Sequence, residues 1–410
     1  MFKSTRKSKM VKVAAAAAAV GSIAAIGFVG NSPVQADPKQ FDAFVVVGSD
    51  TTQDVLNGYA GFSNGINFTP VQSSVATGQR QIASWNAGAA SCIAVKTGAP
   101  LILRPNGSSG GRRALSRAAL GEATWGTGSV CGASDLTGLI DFARSSATPV
   151  SGDTGTDLTY IPFGRDALSW GYYRNTGAPV TDMTTAQLNA IFATGAGIVG
   201  GVPIIPCGIQ TSSGTYQSWN STVSVNQATE TDSTKFCNDL LGVPDPIGRL
   251  QEHSGPELKI KGDLIVSQSH PDCDGVAGGT AVSCANVQVI VGFSASQFVA
   301  RSNGLAVPAP GPGVGLGGVN GSSAVSGTAP SVTPVESFYA SGLYGRDVYN
   351  VFVTDVINDP FNAQLQSLFV GPTSSVCNDA TDVTTERFGF LAIDNCGDTS
   401  LKGSFFSGNS

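Results

Sequence analysis

Leu101-Ile102-Leu103-Arg104-Pro105-Asn106-Gly107-Ser108-Ser109-Gly110-Gly111, followed by Arg112–Leu120, decides how this chain is read. A short apolar run with strand character enters a glycine/serine turn, and helical spacing follows. The same grammar returns at Val202–Pro206, Thr211-Ser212-Ser213-Gly214-Thr215 and Tyr216–Trp219. Two further turns, Gly48-Ser49-Asp50-Thr51-Thr52 and Asp141-Phe142-Ala143-Arg144-Ser145-Ser146, end apolar runs at Phe41–Val47 and Leu136–Phe142. Small hydroxyl residues at a helix start expose N–H and O–H groups at the positive end of the helix dipole. Such a turn holds an oxyanion without a lysine or arginine. Taken singly, Ser108, Ser213 and Thr215 read equally as helix N-caps, and Asp50 as the cap of its own helix. Four such turns in one chain favour a ligand cleft.

Around these turns, strand and helix patterns alternate. Thr52–Phe62 has helical spacing, and Thr184–Phe192 is an amphipathic helix capped by Thr184 or Asp182. Thr159–Pro162, Leu168–Tyr173 and Val287–Phe293 read as strands, Gly304–Thr333 as a flexible Gly/Pro/Ser-rich loop, and Glu336–Tyr344, Val348–Ile357 and Phe361–Phe369 as helices. The alternation predicts an α/β fold with mixed, mostly parallel sheets flanked by helices.

Lys3, Arg6, Lys7, Lys9 and Lys12 precede an Ala-rich apolar stretch, Val13–Val29, and a small-residue site, Val34-Gln35-Ala36. This is the pattern of a cleaved signal peptide over residues 1–36, and it implies a secreted or cell-envelope protein. A retained membrane anchor is the rival reading; Gly21, Gly27 and Gly30 interrupt the stretch. Removing five basic residues leaves 23 − 5 = 18 basic against 29 acidic, a net charge of −11. That balance excludes the basic surface a nucleic-acid partner needs. Any bound anion must be held by local dipoles, helped at most by a buried arginine.

Eight cysteines in an exported chain predict disulfides, and neighbour pairing gives Cys92–Cys131, Cys207–Cys237, Cys273–Cys284 and Cys377–Cys396. There is no CxxC motif and the only histidines are His253 and His270, so no metal site and no cofactor are expected. Both histidines lie in polar loops, and neither stands at a strand end. Catalysis is therefore not expected. Trp85, Trp125, Trp170 and Trp219 read as core.

The order of the motifs resembles the phosphate-binding proteins of bacterial ABC phosphate importers, which are class II periplasmic-type solute-binding proteins. Gly107–Gly111 matches the family's GSSGG turn. Gly48–Thr52 resembles its first Gly-rich turn, Asp141–Ser146 its "DFGASD" segment, and Gln210–Thr215 its "R-x-D-G-S-G-T" turn. Leu188–Phe192 and Val291–Phe293 are lesser echoes, and the resemblance covers residues 41–300. It implies a two-lobed fold with a hinge: residues 37–150 and 300–410 form lobe I, and 151–299 form lobe II. The implied function is phosphate or similar oxyanion binding between the lobes by a monomer that delivers its ligand to an ABC transporter. The ligand set drawn from these turns is Asp50, Thr51, Thr52, Ser108, Ser109, Arg144, Ser145, Ser146, Ser213, Gly214 and Thr215. Two positions depart from the pattern. Ser146 stands where the family has a carboxylate, and Ile209 or Gln210 where it has a buried arginine. Arg144 or Arg165 could replace the cation, and Asp50 the proton acceptor. Two alternatives stay open: a secreted relative acting at the cell surface without phosphate transport, and a phosphatase-type hydrolase.

Overall fold

A computed structural model describes Asp37 and residues 43–71, 82–225, 237, 248–268 and 286–406, the last three of 248–268 by backbone only. The expected signal peptide, Cys273, Cys284 and His270 lie outside the described residues. Residues 33–410 belong to one compact unit. It is the α/β protein that the alternation predicts.

The strands that matter here are β1 (Phe44–Gly48), β2 (Ile82–Ser84), β3 (Phe142–Ser145), β4 (Leu158–Arg174), β5 (Gly197–Val199), β6 (Val202–Cys207), β7 (Gln288–Ser294), β8 (Val314–Val319) and β9 (Gly345–Val353). All but β8 run in the order β5-β6-β7-β4-β9-β3-β1-β2 through one large sheet, and β8 pairs with β4 off this path. β1 pairs in parallel with β2 and β3, and β6 in parallel with β7. Antiparallel ladders from β4 to β7 and β9, and from β9 to β3, join these two parallel centres. The helices that position the site are α1 (Gln53–Tyr59), α2 (Gly107–Leu120), α3 (Thr185–Thr194), α4 (Gly214–Thr222), α5 (Gly255–Gln268) and α6 (Ala295–Ser302).

Where the sequence reading expected separate strands at Thr159–Pro162 and Leu168–Tyr173, a single 17-residue strand, β4, runs through both halves of the sheet. Its first part, Leu158–Ala167, pairs with β9, and Leu168–Arg174 pairs with β7. The hydrophobic clusters follow the two parts of β4. Leu158–Phe163 packs with the first half, among Val46, Phe142 and Val351. Phe338, Tyr339 and Tyr344 pack with the second, around Trp170 and Trp219. All four tryptophans are buried.

Two other expectations are corrected. Val348–Ile357 is not one helix: residues up to Val353 form β9, and only Thr354–Asn358 is helical. Val348, Tyr349, Val351 and Phe352 are the β-branched and aromatic residues that a strand buried on both faces favours. The segment 304–333 is not an unstructured loop, because β8 within it pairs with Gly171–Tyr173 and Trp170 of β4. Gly315 and Gly317 within it are packed against aromatic side chains of β4. A Cβ on Gly317 would overlap the indole of Trp170, so only glycine lets the two strands pair over a buried tryptophan.

The remaining elements follow their local chemistry. Thr184 caps α3 through a capping box with Gln187. Cys92–Cys131, Cys207–Cys237 and Cys377–Cys396 are disulfides, as neighbour pairing predicts. Gly107–Gly111 is the first turn of α2 rather than a turn before it. Gly111 permits this: a Cβ there would collide with the Gly48 backbone at the end of β1. Close helix–strand contact outweighs the poor helix propensity of glycine.

Gly317→Ala should destabilise the protein by about 2 kcal/mol, the scale of an overpacked core site. Denaturant unfolding followed by far-UV circular dichroism would measure it. An unchanged midpoint would show that the Trp170–Gly317 contact is not needed.

Candidate functional site

Parallel pairing of β1 with β3 brings the turns that follow them side by side, at the carboxyl edge where α/β sheets place ligands. Ser49, Asp50, Thr51 and Thr52 follow β1, Ser146 follows β3, and all five are buried. Ser108, in the first turn of α2, meets them. Its Oγ accepts the Ser146 N–H at 3.0 Å and lies 3.3 Å from the Ser146 Oγ. The Ser146 hydroxyl is also 3.1 Å from that of Ser49 and 3.3 Å from that of Thr51. The other half of the sheet contributes Thr215, in the first turn of α4, whose Oγ1 is 3.4 Å from the Thr51 Oγ1. Gly214 allows this approach, since a Cβ there would overlap the Ser108 and Ser146 hydroxyl oxygens.

Among the described residues, the cation that donates to these hydroxyls is neither Arg144 nor Arg165. Arg346, at the start of β9, donates from Nη2 to the Thr215 hydroxyl at 2.7 Å and from Nη1 to the Ser146 carbonyl at 3.0 Å. Asp166 on β4 holds it, accepting from Nε at 3.1 Å and Nη2 at 2.9 Å. Asp166 itself is fixed by Ser294 and by the N–H and hydroxyl of Ser296. Arg144 instead spends its guanidinium on the carbonyls of Val46, Gly48, Ser49 and Trp85 and on the Ser84 hydroxyl. It ties β1 to its neighbours and has no donor left for a ligand. Arg165 forms a half-exposed ion pair with Asp347 at 2.7 Å.

The other expected residues stand around the cluster rather than in it. Ser109 bonds Gln217 through its side chain and the Ser212 carbonyl through its N–H. Ser145 bonds the backbone of Ala147 within its own turn. Ser213 caps α4, accepting from the Tyr216 N–H at 3.0 Å. The Thr52 hydroxyl is buried without a hydrogen bond. Asp50 accepts from Gln251 and Gln210, which also bond Asn106. Asp50 and Asn106 from the first half are thus laced to two glutamines of the second. Burial, followed by the charge of Glu252, holds the Asp50 carboxyl well above the usual carboxylate range.

Glu252 and His253, which the sequence reading left in a polar loop, are at the centre of the cluster. The Glu252 Oε1 accepts from Thr51 at 2.8 Å, Thr215 at 2.5 Å and the His253 Nε2 at 2.8 Å. Burial favours the neutral acid, but the opposing effects of His253, Thr215 and Arg346 together win and lower its pKa. The Ser294 N–H points at the His253 Nδ1, at 3.2 Å, so that nitrogen accepts and Nε2 carries the proton. Burial likewise keeps this imidazole below its ordinary pKa and neutral. A Ser-His-Asp relay would place a carboxylate on Nδ1; here a backbone N–H is there. Among the described residues no group of His, Cys, Asp and Glu could hold a metal ion, and no helix is long and apolar enough to cross a membrane.

Fold and site together define a mixed α/β protein with buried hydroxyls and one arginine gathered where two sheet halves meet. No family model matches the sequence, and no match is found among curated proteins. Similar solved structures are phosphate receptors. An ABC-type phosphate transport receptor from Vibrio cholerae is 12% identical, covering 85% of this chain and 100% of its own, at a TM-score of 0.42. A putative phosphate ABC transporter substrate-binding protein with bound phosphate from Clostridium perfringens is 14% identical, over 86% and 100%, at 0.44. A phosphate-binding protein from Stenotrophomonas maltophilia is 15% identical, over 86% and 91%, at 0.39.

Beside the cluster, on α1, burial raises the Asp54 carboxyl to about 6, against the opposing effects of Arg301, Gln297 and Arg144. Its unfolded value is near 3.8, so the folded state binds the extra proton between these limits. That stabilisation is complete below pH 3.8 and is lost as pH rises through about 6, amounting to about 3 kcal/mol. Asp54→Asn should therefore gain on the parent protein by up to about 3 kcal/mol between pH 4 and pH 7.5. Denaturant titrations across that range would show it, and a stability difference independent of pH would contradict it.

Proposed function

We propose that this chain is an exported solute-binding protein that takes an oxyanion, phosphate first among them, between the two halves of its sheet. The observation that carries the proposal is the convergence of the buried Thr51, Ser108, Ser146 and Thr215 hydroxyls and the partly buried Arg346 guanidinium, brought from five separate segments into one cluster. Hydroxyls both donate and accept, so the set can follow either protonation state of phosphate. In a dry site each charge-assisted bond to an anion contributes about 1.5–3 kcal/mol. Arg346 supplies charge while Asp166 fixes its direction, which suits an anion small enough to be ringed by side chains.

The N-terminal basic and apolar segments support export. Delivery to an ABC transporter follows from the resemblance of the four turns, with closure of the halves as the docking signal. A second reading, a surface protein of the same fold without phosphate transport, is favoured by the Glu252 carboxylate already lying among the hydroxyls.

Calorimetric titration of the purified full chain with phosphate and with sulfate tests the proposal. One phosphate should bind per chain. Ser108→Ala and Ser146→Ala, neither of which touches Glu252, should each weaken binding about tenfold to a hundredfold. Undiminished affinity in both variants would contradict the assignment.

A further inference from the structure

Among the described residues, Glu252 is the carboxylate that accepts from the cluster's own hydroxyls, the wrong sign for an anion receptor. It is 1% exposed, and its Oε1 receives three hydrogen bonds, two of them from hydroxyls assigned above to the ligand. Its Oε2 is buried with no hydrogen-bond partner among the described residues. A carboxylate placed for structure alone would be expected to have both oxygens satisfied. One saturated oxygen and one orphan describe an anion held in a site shaped for something with more acceptors.

The segment that carries it is short and bounded by two fixed points. Leu250 is anchored through two backbone hydrogen bonds, with Gly208 and Gln210, and α5 begins at Gly255. Between these anchors, Gln251-Glu252-His253 forms a short turn. His253 sits at φ 61°, in the left-handed region that a non-glycine residue enters at a cost. Gln251 secures the turn from the far side, donating to Asp50 and Asn106.

We infer that Glu252 is a built-in competing ligand: its carboxylate fills the oxyanion site of the empty protein, and an incoming anion binds by displacing the Gln251–His253 turn. The inference rests on the functional reading above and deepens it. Exchange of one anion for another leaves the charge near Arg346 balanced throughout. It also means that the observed affinity is reduced by the fraction of molecules in which the turn has withdrawn. The device raises the anion concentration at which the site is half filled.

The test compares the full chain with Glu252→Gln and Glu252→Ala, using inorganic phosphate as the calorimetric probe and acetate as a second probe in thermal unfolding. Glu252→Gln keeps the shape without the charge and should bind phosphate at least about tenfold more tightly than the parent. Glu252→Ala should melt lower than the parent and regain the lost stability in phosphate or acetate, each standing in for the missing carboxylate. Circular dichroism establishes that both variants fold; should the alanine variant not fold, the glutamine variant decides alone. Phosphate affinity unchanged or weaker in Glu252→Gln would overturn the inference while leaving phosphate binding intact. No phosphate binding by any of the three proteins would overturn the functional reading, and this inference with it.

Discussion

Two hydroxyls from opposite halves of the sheet, those of Thr51 and Thr215, donate to a single oxygen of Glu252. The rest of the site is arranged around that meeting. Thr51 is held from behind by Gln297 of α6, which donates to its carbonyl at 2.7 Å. Thr215 is held by Arg346, and Arg346 by Asp166. Thr51, Thr215, Gln297 and Asp166 are buried and Arg346 is partly buried, so each needs its partners: an unpaired charge or hydroxyl in a dry interior costs more than the net worth of a single hydrogen bond. The cluster is therefore stable only when all its members are in place or when a ligand substitutes for one of them.

The same constraint explains the arginines. Arg144 is fully buried, and burial lowers its pKa to about 10 against the pull of Asp50 and Asp54. At about 10 it remains charged at neutral pH, and its bonds to backbone carbonyls fix the carboxyl ends of β1 and β3. Arg346 has the opposite arrangement, with an aspartate on one side and hydroxyls on the other. One arginine builds the edge of the sheet and the other faces the place where charge can be exchanged.

Much of this was legible in the order of residues. Thr51, Ser108, Ser146, Gly214 and Thr215 sit on small-residue turns after strands, and a parallel sheet brings such turns to one edge. Glu252, His253 and Arg346 were not legible. Their roles depend on contacts between distant positions: Arg346 lies 131 residues from Thr215 and Glu252 lies 201 from Thr51. Nothing local distinguishes an arginine beside Gly345 from any other surface arginine, although the low number of basic residues narrows the choice. The strands β8 and β9 were misread for a related reason. Glycine in β8 answers to Trp170 on a neighbouring strand. The Val348–Ile357 run lacks the alternation that marks a half-buried strand, because neighbours cover both faces of β9.

The central claim is that one small anion is received among these hydroxyls and beside Arg346. The most direct measurement is a crystal structure of the full chain grown in arsenate, with the arsenic located by anomalous scattering. The account predicts one dominant peak, with oxygens within hydrogen-bond reach of Thr51, Ser108, Ser146, Thr215 and Arg346, and the Glu252 carboxylate withdrawn from Thr51 and Thr215. A peak elsewhere, or Glu252 unmoved with no arsenic beside Arg346, would contradict it.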